Sequence, residues 1–253
     1  MSTPKIALVT GSSRGLGKSM ALHLAERGVD VIVTYRRDEA EARAVAAAIE
    51  AKGKRALTLA LDVGDTASFA GFVDRVRDAL GRVWGRDRFD FLVNNAGMGH
   101  HASVAETTEA QFDELLGAHF KGPFFLTQRL LPLLADGGRI LNVSTGLARF
   151  TFPGYGAYAA MKGAVEVWTR YLAKELGPRK ITANVIAPGA IATDFGGGQV
   201  RDNPQLNAAI ASQIALGRVG LPDDIGAAVA LLLSPESGWI NGQRIEASGG
   251  MVL

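Results

Sequence analysis

The chain of 253 residues contains no cysteine. That excludes disulfides, thiolate nucleophiles and cysteine-ligated zinc, and no metal site is expected. It leaves the compartment open, because reducing and oxidising spaces both hold Cys-free proteins. No apolar run reaches the roughly 18 residues that a membrane-spanning helix requires. The opening MSTPKIALVTG has neither a long apolar stretch nor a small-residue cleavage site, so no secretory signal is read there and a soluble cytoplasmic protein is expected. Nor is there an excess of charge of one sign: 27 Lys and Arg stand against 25 Asp and Glu, a net charge of +2. Binding to a nucleic-acid backbone usually needs a clustered basic face. The densest cationic stretch here, Arg82–Arg88, reads as a solvated turn. Neither nucleic acid nor membrane is expected as a partner.

What is present is a 47% hydrophobic, 21% charged composition, suited to a substantial core. Short β-branched runs alternate with segments of helical period. Strands are predicted at Ile6–Thr10, Val31–Tyr35, Ala56–Leu61, Phe89–Val93, Arg139–Ser144, Thr182–Ala187 and Arg244–Ala247. Most are apolar at consecutive positions, as strands covered on both faces must be. Helices are predicted at Leu16–Arg27, Glu39–Lys52, Thr66–Leu80, Glu109–Leu134, Tyr155–Leu176 and Pro222–Leu233, with Gly28, Gly53 and Gly177-Pro178 as stops. The alternation implies an α/β fold, a Rossmann-type doubly wound parallel sheet of about seven strands with helices on both faces. No linker divides residues 1–253, so a single dinucleotide-binding domain is expected.

The first strand runs into Gly11-Ser12-Ser13-Arg14-Gly15-Leu16-Gly17, and a helix follows. Such glycines let backbone N–H groups approach a phosphate, to which the helix N-terminus adds its positive end. A Gly-rich turn without a ligand is the plainer alternative, but placement at the start of a βαβ unit favours a cofactor. After the second strand an NAD site would carry an acid for the ribose 2′-hydroxyl. This chain has Tyr35-Arg36-Arg37 instead. Guanidinium groups suit a 2′-phosphate, and Arg14 is positioned to reach it too, so NADPH is expected over NAD. Asp62-Val63 after the third strand would meet the adenine, and Asn94-Asn95-Ala96-Gly97 ends the fourth. Further on, Tyr158 and Lys162 lie four residues apart on a predicted helix. They share a face, so the ammonium is expected to approach the phenol and lower its pKa toward one useful for proton transfer.

In order and spacing, Thr10–Gly17, Asp62-Val63, Asn94–Gly97, Tyr158-x-x-x-Lys162 and Pro188-Gly189 with Thr193 resemble the short-chain dehydrogenase/reductase family over essentially the whole chain. The resemblance implies hydride transfer between nicotinamide and a carbonyl or alcohol. Tyr158 would exchange the proton, Lys162 would bind the nicotinamide ribose, and the segment Pro188, Gly189, Ile191 and Thr193 would hold the carboxamide end. It also implies a homotetramer, with a dimer next, built on the two long helices and the last strand.

Two positions depart from the family pattern. The usual catalytic serine falls on Thr145, which keeps a hydroxyl donor; Ser144, next to it, points to the opposite face of the strand and is the lesser candidate. His119 stands where the family usually has Asn. In the family that Asn is associated with a helix distortion and a water of the proton relay. His119 would either donate a proton directly, titrating near pH 6.5 if unperturbed, or merely pack while the main chain holds the water. The segment 190–216, with Phe195, a glycine triplet and a helix-like Gln205–Leu216, is expected to close over a small-molecule substrate. Met98, His100, Leu147, Phe150, Phe152 and Tyr155 are candidate walls for a hydrophobic substrate body. The competing readings are an NADP(H) sensor without catalysis, motivated by Thr145 and His119, and a scaffold subunit. Retention of both Tyr158 and Lys162 counts against them.

Overall fold

The computed structural model describes residues 4–253. Seven parallel strands, β1 (Ile6–Val9), β2 (Asp30–Tyr35), β3 (Ala56–Ala60), β4 (Phe89–Asn94), β5 (Leu134–Val143), β6 (Thr182–Pro188) and β7 (Arg244–Ala247), form one sheet in the order β3-β2-β1-β4-β5-β6-β7. The crossovers carry α1 (Gly15–Glu26), α2 (Glu39–Glu50), α3 (Phe69–Ala79), α4 (Glu109–Leu116), α5 (Gly122–Leu130) and α6 (Gly156–Glu175). Beyond β6 come α7 (Gln199–Asp202), α8 (Pro204–Ala211) and α9 (Pro222–Leu232).

The run of apolar residues in each strand divides by parity. Ile6 and Leu8 face one core with Phe72 of α3, Leu126 of α5 and Trp168 of α6. Ala7 and Val9 face the other with Met20 of α1, Ile49 of α2 and Val229 of α9. A strand rises with alternating side chains, so only a continuously apolar sequence can serve two buried faces.

The chain leaves β1 toward β2 on one side and returns to β4 on the other, which opens a crevice at the carboxyl ends of these two strands. The two loops there are stitched together. Thr10 Oγ1 accepts from the amides of Asn95 and Ala96, both at 2.9 Å. Asn95 Nδ2 donates to the carbonyls of Thr10 and Gly11 at 2.9 and 3.1 Å.

Several predicted elements differ in outline: the helix-like Gln205–Leu216 is helical over Pro204–Ala211, and Thr66–Ser68 forms a 3-10 turn ahead of α3. The long helix expected at Glu109–Leu134 is interrupted at Gly117–Lys121 by a π-helical turn, and its end becomes a 3-10 turn and the start of β5. β5 opens at Leu134, five residues before the predicted Arg139, because Leu134 pairs with Phe89 across an irregularity in the β4–β5 register. No helix among the described residues is long and apolar enough to cross a membrane. No group of three or more metal-ligating side chains occurs among them either.

Candidate active site

The glycine loop divides its work among three residues. A Cβ on Gly17 would lie 2.3 Å from the Gly11 carbonyl, and one on Gly11 would lie 2.9 Å from Ala96 Cα, so both serve close backbone packing. Gly15 is different: with φ at +56° and nothing within 4 Å of a Cβ, it faces open space at the start of α1. The helix has no side-chain cap there, so its first N–H groups remain available to an anion. Ser13 and Leu16 are half-buried beside it.

Arg36 and Arg37 follow β2 fully in solvent and pair with no carboxylate among the described residues. Tyr35 is half-buried, and burial followed by the nearby Glu39 carboxylate raises its pKa. Arg14 is also exposed, and its guanidinium lies 4.0 Å from Asp194 at the start of the lid segment. Asp62 is exposed but caps its own turn by accepting from Gly64 N at 2.9 Å, whereas Val63 is buried in the core and offers little surface to a ligand. Gly97 is exposed at the tip of the β4 loop. Pro188 ends β6, Gly189 packs on Ser248, Ile191 is half-buried, and Thr193 Oγ1 accepts from Phe195 N at 3.2 Å. These positions fit a dinucleotide phosphate: an uncapped helix start, an open glycine and unpaired cations converge on one strand-end crevice.

The other end of the crevice is buried. Tyr158 is 7% exposed, Lys162 5% and His119 2%. The expected electrostatics of the first pair is corrected by this burial. Lys162 Nζ donates to the Val143 carbonyl at 2.7 Å and lies 5.7 Å from the Tyr158 ring centre, instead of meeting the phenol oxygen. Burial raises the Tyr158 pKa above its ordinary value; the Thr145 side chain beside it opposes that without cancelling it. Burial also pulls Lys162 down to about 7. Both charged forms lose hydration, and in neither case is the partner's charge the main cause. The lysine has three donors, of which Val143 occupies one.

Thr145 and Ser144 part company at the end of β5. Thr145 is extended, with its hydroxyl toward Tyr158 and also capping Leu147 N at 3.2 Å. Ser144 Oγ donates to Glu166 Oε1 at 2.6 Å, two helical turns along α6 from Tyr158, so its hydroxyl is engaged there and not with the phenol.

His119 sits in the π-helical turn with its ring edge-on to Tyr158 at 5.0 Å. Its Nε2 lies 2.6 Å from the Met98 carbonyl, a contact that requires the proton on Nε2 and leaves a lone pair on Nδ1. That Nδ1 is buried without a partner among the described residues. Burial, then the Lys162 ammonium, lowers the His119 pKa to about 3, so it does not titrate near 6.5 and is neutral at physiological pH. Gly97 must be glycine here, since a Cβ would stand 2.6 Å from His119 Cε1.

Phe195 lies tilted against the Tyr158 ring, with ring centres 5.7 Å apart, and presses on Gly99, so this residue of segment 190–216 covers the phenol ring. Beside it is a cleft of about 10 Å³, lined in part by His100, Leu115, Gly154 and Tyr158. That is room for about one water. Leu147 and Tyr155 pack with Leu115, Tyr158 and Met161 at this cleft, whereas Met98 joins the core under β4. Phe150 and Phe152 instead pack with Ile214, Val219 and Met251 beneath the lid, so they wall its base and not the cleft. His100 is tied to Glu114 at 2.7 Å.

Two residues escaped the sequence reading. Glu166 follows Tyr158 and Lys162 by one further helical turn, and that i, i+4, i+8 spacing was the available signal. Arg244 of β7 donates to Glu166 Oε1 at 2.8 Å and to the Thr145 carbonyl at 3.1 Å. No local pattern announces it.

The family model adh_short_C2, described as enoyl-(acyl carrier protein) reductase, matches residues 11–252. A short-chain type dehydrogenase/reductase of Picea abies is 35% identical over 98% of this chain and 92% of its own. Tetrahydroxynaphthalene reductase PfmaG of Pestalotiopsis fici is 35% identical over 98% of this chain and 91% of its own. Among solved structures, landomycin C-6 ketoreductase LanV with bound NADP and rabelomycin is 37% identical, with a TM-score of 0.90 over 99% of this chain and 97% of the other.

Proposed function

The chain belongs to the short-chain dehydrogenase/reductase family, and from that premise we propose that it is an NADPH-dependent reductase of a ketone on a fused aromatic ring system. The observation that carries the reading is the buried, protonated Tyr158 phenol, beside the Thr145 hydroxyl and one helical turn from Lys162. The phenol carries its proton at neutral pH, as the acid in carbonyl reduction must, while its raised pKa leaves it a poor base for alcohol oxidation in the absence of a bound cofactor.

NADPH would supply the hydride from its nicotinamide. Gly11–Gly17, with Ser13 and the first amides of α1, would hold its pyrophosphate, and Arg14, Arg36 and Arg37 its 2′-phosphate. Asp62 and the Val63 backbone would border the adenine, and Tyr35 the adenosine ribose. Asn95, Ala96 and Gly97 would line the crevice. The two spare donors of Lys162 suit ribose hydroxyls, and Pro188, Gly189, Ile191 and Thr193 would face the carboxamide. At the substrate, the Thr145 hydroxyl polarises the carbonyl and the Tyr158 phenol delivers the proton to its oxygen as the alkoxide forms. Neutral His119 offers an acceptor beside them and no proton near pH 7.

The substrate class rests on the relatives' names and on the apolar groups about Tyr158: Phe195 lies against its ring and Leu147 and Tyr155 pack with it, next to a cleft lined by His100, Thr107, Gln111, Leu115 and Ala157. A ring system would displace Phe195, since the closed cleft admits only a water-sized body. Residues 190–216 therefore act as a lid. Exposed Phe112 of α4, Phe125 of α5 and Val167 and Tyr171 of α6 support assembly through these helices into a homotetramer, which sedimentation analysis tests.

The decisive experiment follows NADPH oxidation with tetrahydroxynaphthalene and with a small aliphatic ketone, using Tyr158→Phe as control. The variant is expected to lose about 10²–10⁴ in kcat. Equal rates for parent and variant across both compounds would instead favour an NADP(H)-binding protein without catalysis. Faster turnover with NADH would sink the cofactor assignment.

A further inference from the structure

At the end of β5, three consecutive residues are each fixed by a different charged group. Lys162 Nζ holds the Val143 carbonyl at 2.7 Å. Glu166 Oε1 accepts from Ser144 Oγ at 2.6 Å. Arg244 Nη2 holds the Thr145 carbonyl at 3.1 Å while its Nε donates to the same Glu166 oxygen at 2.8 Å. Its third arm, Nη1, donates to Glu246 Oε2 at 2.8 Å.

The chain of contacts continues from there. Arg149 donates to both Glu246 oxygens at 2.8 Å. Its remaining donors reach the Val252 and Met251 carbonyls at 2.9 and 2.8 Å. Arg149 and then Arg244 keep the Glu246 carboxyl ionised, with its pKa down to about 2 despite partial burial. The Glu166 and Arg244 side chains are only 14% and 23% exposed, so water screens their contact weakly.

From this we infer that Glu166 and Arg244 are positioning residues for the reaction, holding the backbone of Ser144 and Thr145 so that the Thr145 hydroxyl stays beside the Tyr158 phenol. The inference rests on the function proposed above. Thr145 needs such a hold. Its hydroxyl already accepts from Leu147 N, and its β-branched side chain follows its backbone closely because few rotamers are open to it. A guanidinium can serve three acceptors in one plane; an ammonium has the charge without that fork. Ser144 thereby acquires a role other than a catalytic one, as the strand's hook onto α6.

A double-mutant cycle on NADPH-dependent reduction of tetrahydroxynaphthalene tests this. Glu166→Gln and Arg244→Lys are each expected to lower kcat about 10-fold or more, with the KM for NADPH within about twofold of the parent. Arg244→Lys, which preserves charge, also guards against a variant that fails to fold; melting temperature is followed for both. In a Thr145→Val background the further loss from Glu166→Gln should shrink to less than twofold, since the hydroxyl it positions is gone. The same 10-fold loss in both backgrounds overturns the inference and leaves Glu166 a purely structural residue. Full activity in Glu166→Gln and Arg244→Lys overturns it as well. Neither result touches the Tyr158→Phe comparison, which alone decides the proposed function.

Discussion

The two ends of the crevice solve opposite problems. At the β2 end, Arg36 and Arg37 are exposed and form no salt bridge among the described residues. At the β5 end, Tyr158, Lys162 and His119 are nearly closed off and each is displaced from its ordinary pKa by burial. An exposed cation costs the fold little and waits for a phosphate to bind. A buried ammonium costs stability whenever it is charged, because its hydration is lost and one carbonyl replaces little of it. Recognition can be added to a surface, whereas proton-transfer chemistry is bought from the core.

Lys162→Met should break that contrast most sharply. We expect kcat to fall by about 10²–10⁴ while the fold gains stability. The folded pKa is about 7 against 10.5 for the free side chain. Between those values the unfolded chain binds the extra proton, so wild-type stability rises with pH across this window. The cost of the buried charge is full below pH 7 and gone above 10.5. Melting temperatures should therefore favour Lys162→Met most at pH 6.5, with the gap closing by pH 10; a gap that widens with pH would reverse the argument.

At the exposed end, Arg36→Glu with Arg37→Glu should weaken NADPH binding by about 10²-fold, from two charge-assisted contacts each worth about 1.5–3 kcal/mol before solvent screening. NADH should be nearly unaffected. Fluorescence titration of both cofactors measures this directly, and an equal loss for the two would mean the arginines only steady the loop.

How far each end could be read from sequence follows the same division. The glycine loop and the arginine pair act through local spacing, and they occupy the crevice that the strand pattern implies. The seven strands were visible because two-sided burial forces continuous apolar runs such as Ile6–Val9. The π-helical turn was visible only through the resemblance, which ties the position of His119 to a helix distortion; composition and spacing alone do not mark it. A Cβ on Gly122 would stand 1.9 Å from the Val63 carbonyl, so the helix approaches the β3 loop too closely for any side chain. The pKa order of Tyr158 and Lys162 was equally hidden, since spacing four apart reports proximity but says nothing of how much water remains. Arg244 lies 99 residues from Thr145 and is joined to it only by β6–β7 pairing.

The lid offers a milder test. Phe195 is 43% exposed although it lies against a buried tyrosine, so it is half seal and half surface. Phe195→Ala forfeits an aromatic contact of about 0.5–1.5 kcal/mol. We expect KM for a ring substrate to change by about threefold to tenfold, with cofactor affinity unchanged. Steady-state kinetics with tetrahydroxynaphthalene checks it; a matching change in the affinity for NADPH would mean the lid also clamps the cofactor.

The smallest effect concerns His119, whose substitution tests whether the buried end contains a second titrating group. With a folded pKa of about 3, His119 stays neutral throughout the working range. His119→Asn is therefore expected to leave the shape of the kcat profile between pH 5 and 8 unaltered, whatever it does to the overall rate. Its signature should lie in acid stability. From pH 6.5 down to 3 the unfolded histidine is protonated and the folded one is not, so wild-type stability falls as the pH drops through that window. Carboxylates also titrate there, but they are common to both proteins and cancel in the difference. The wild-type melting temperature should thus fall more steeply than that of His119→Asn between pH 6.5 and 4. A kinetic limb near pH 6.5 that disappears in His119→Asn would make the histidine an acid after all. It would also mean that water reaches the β5 end far more freely than the closed lid allows.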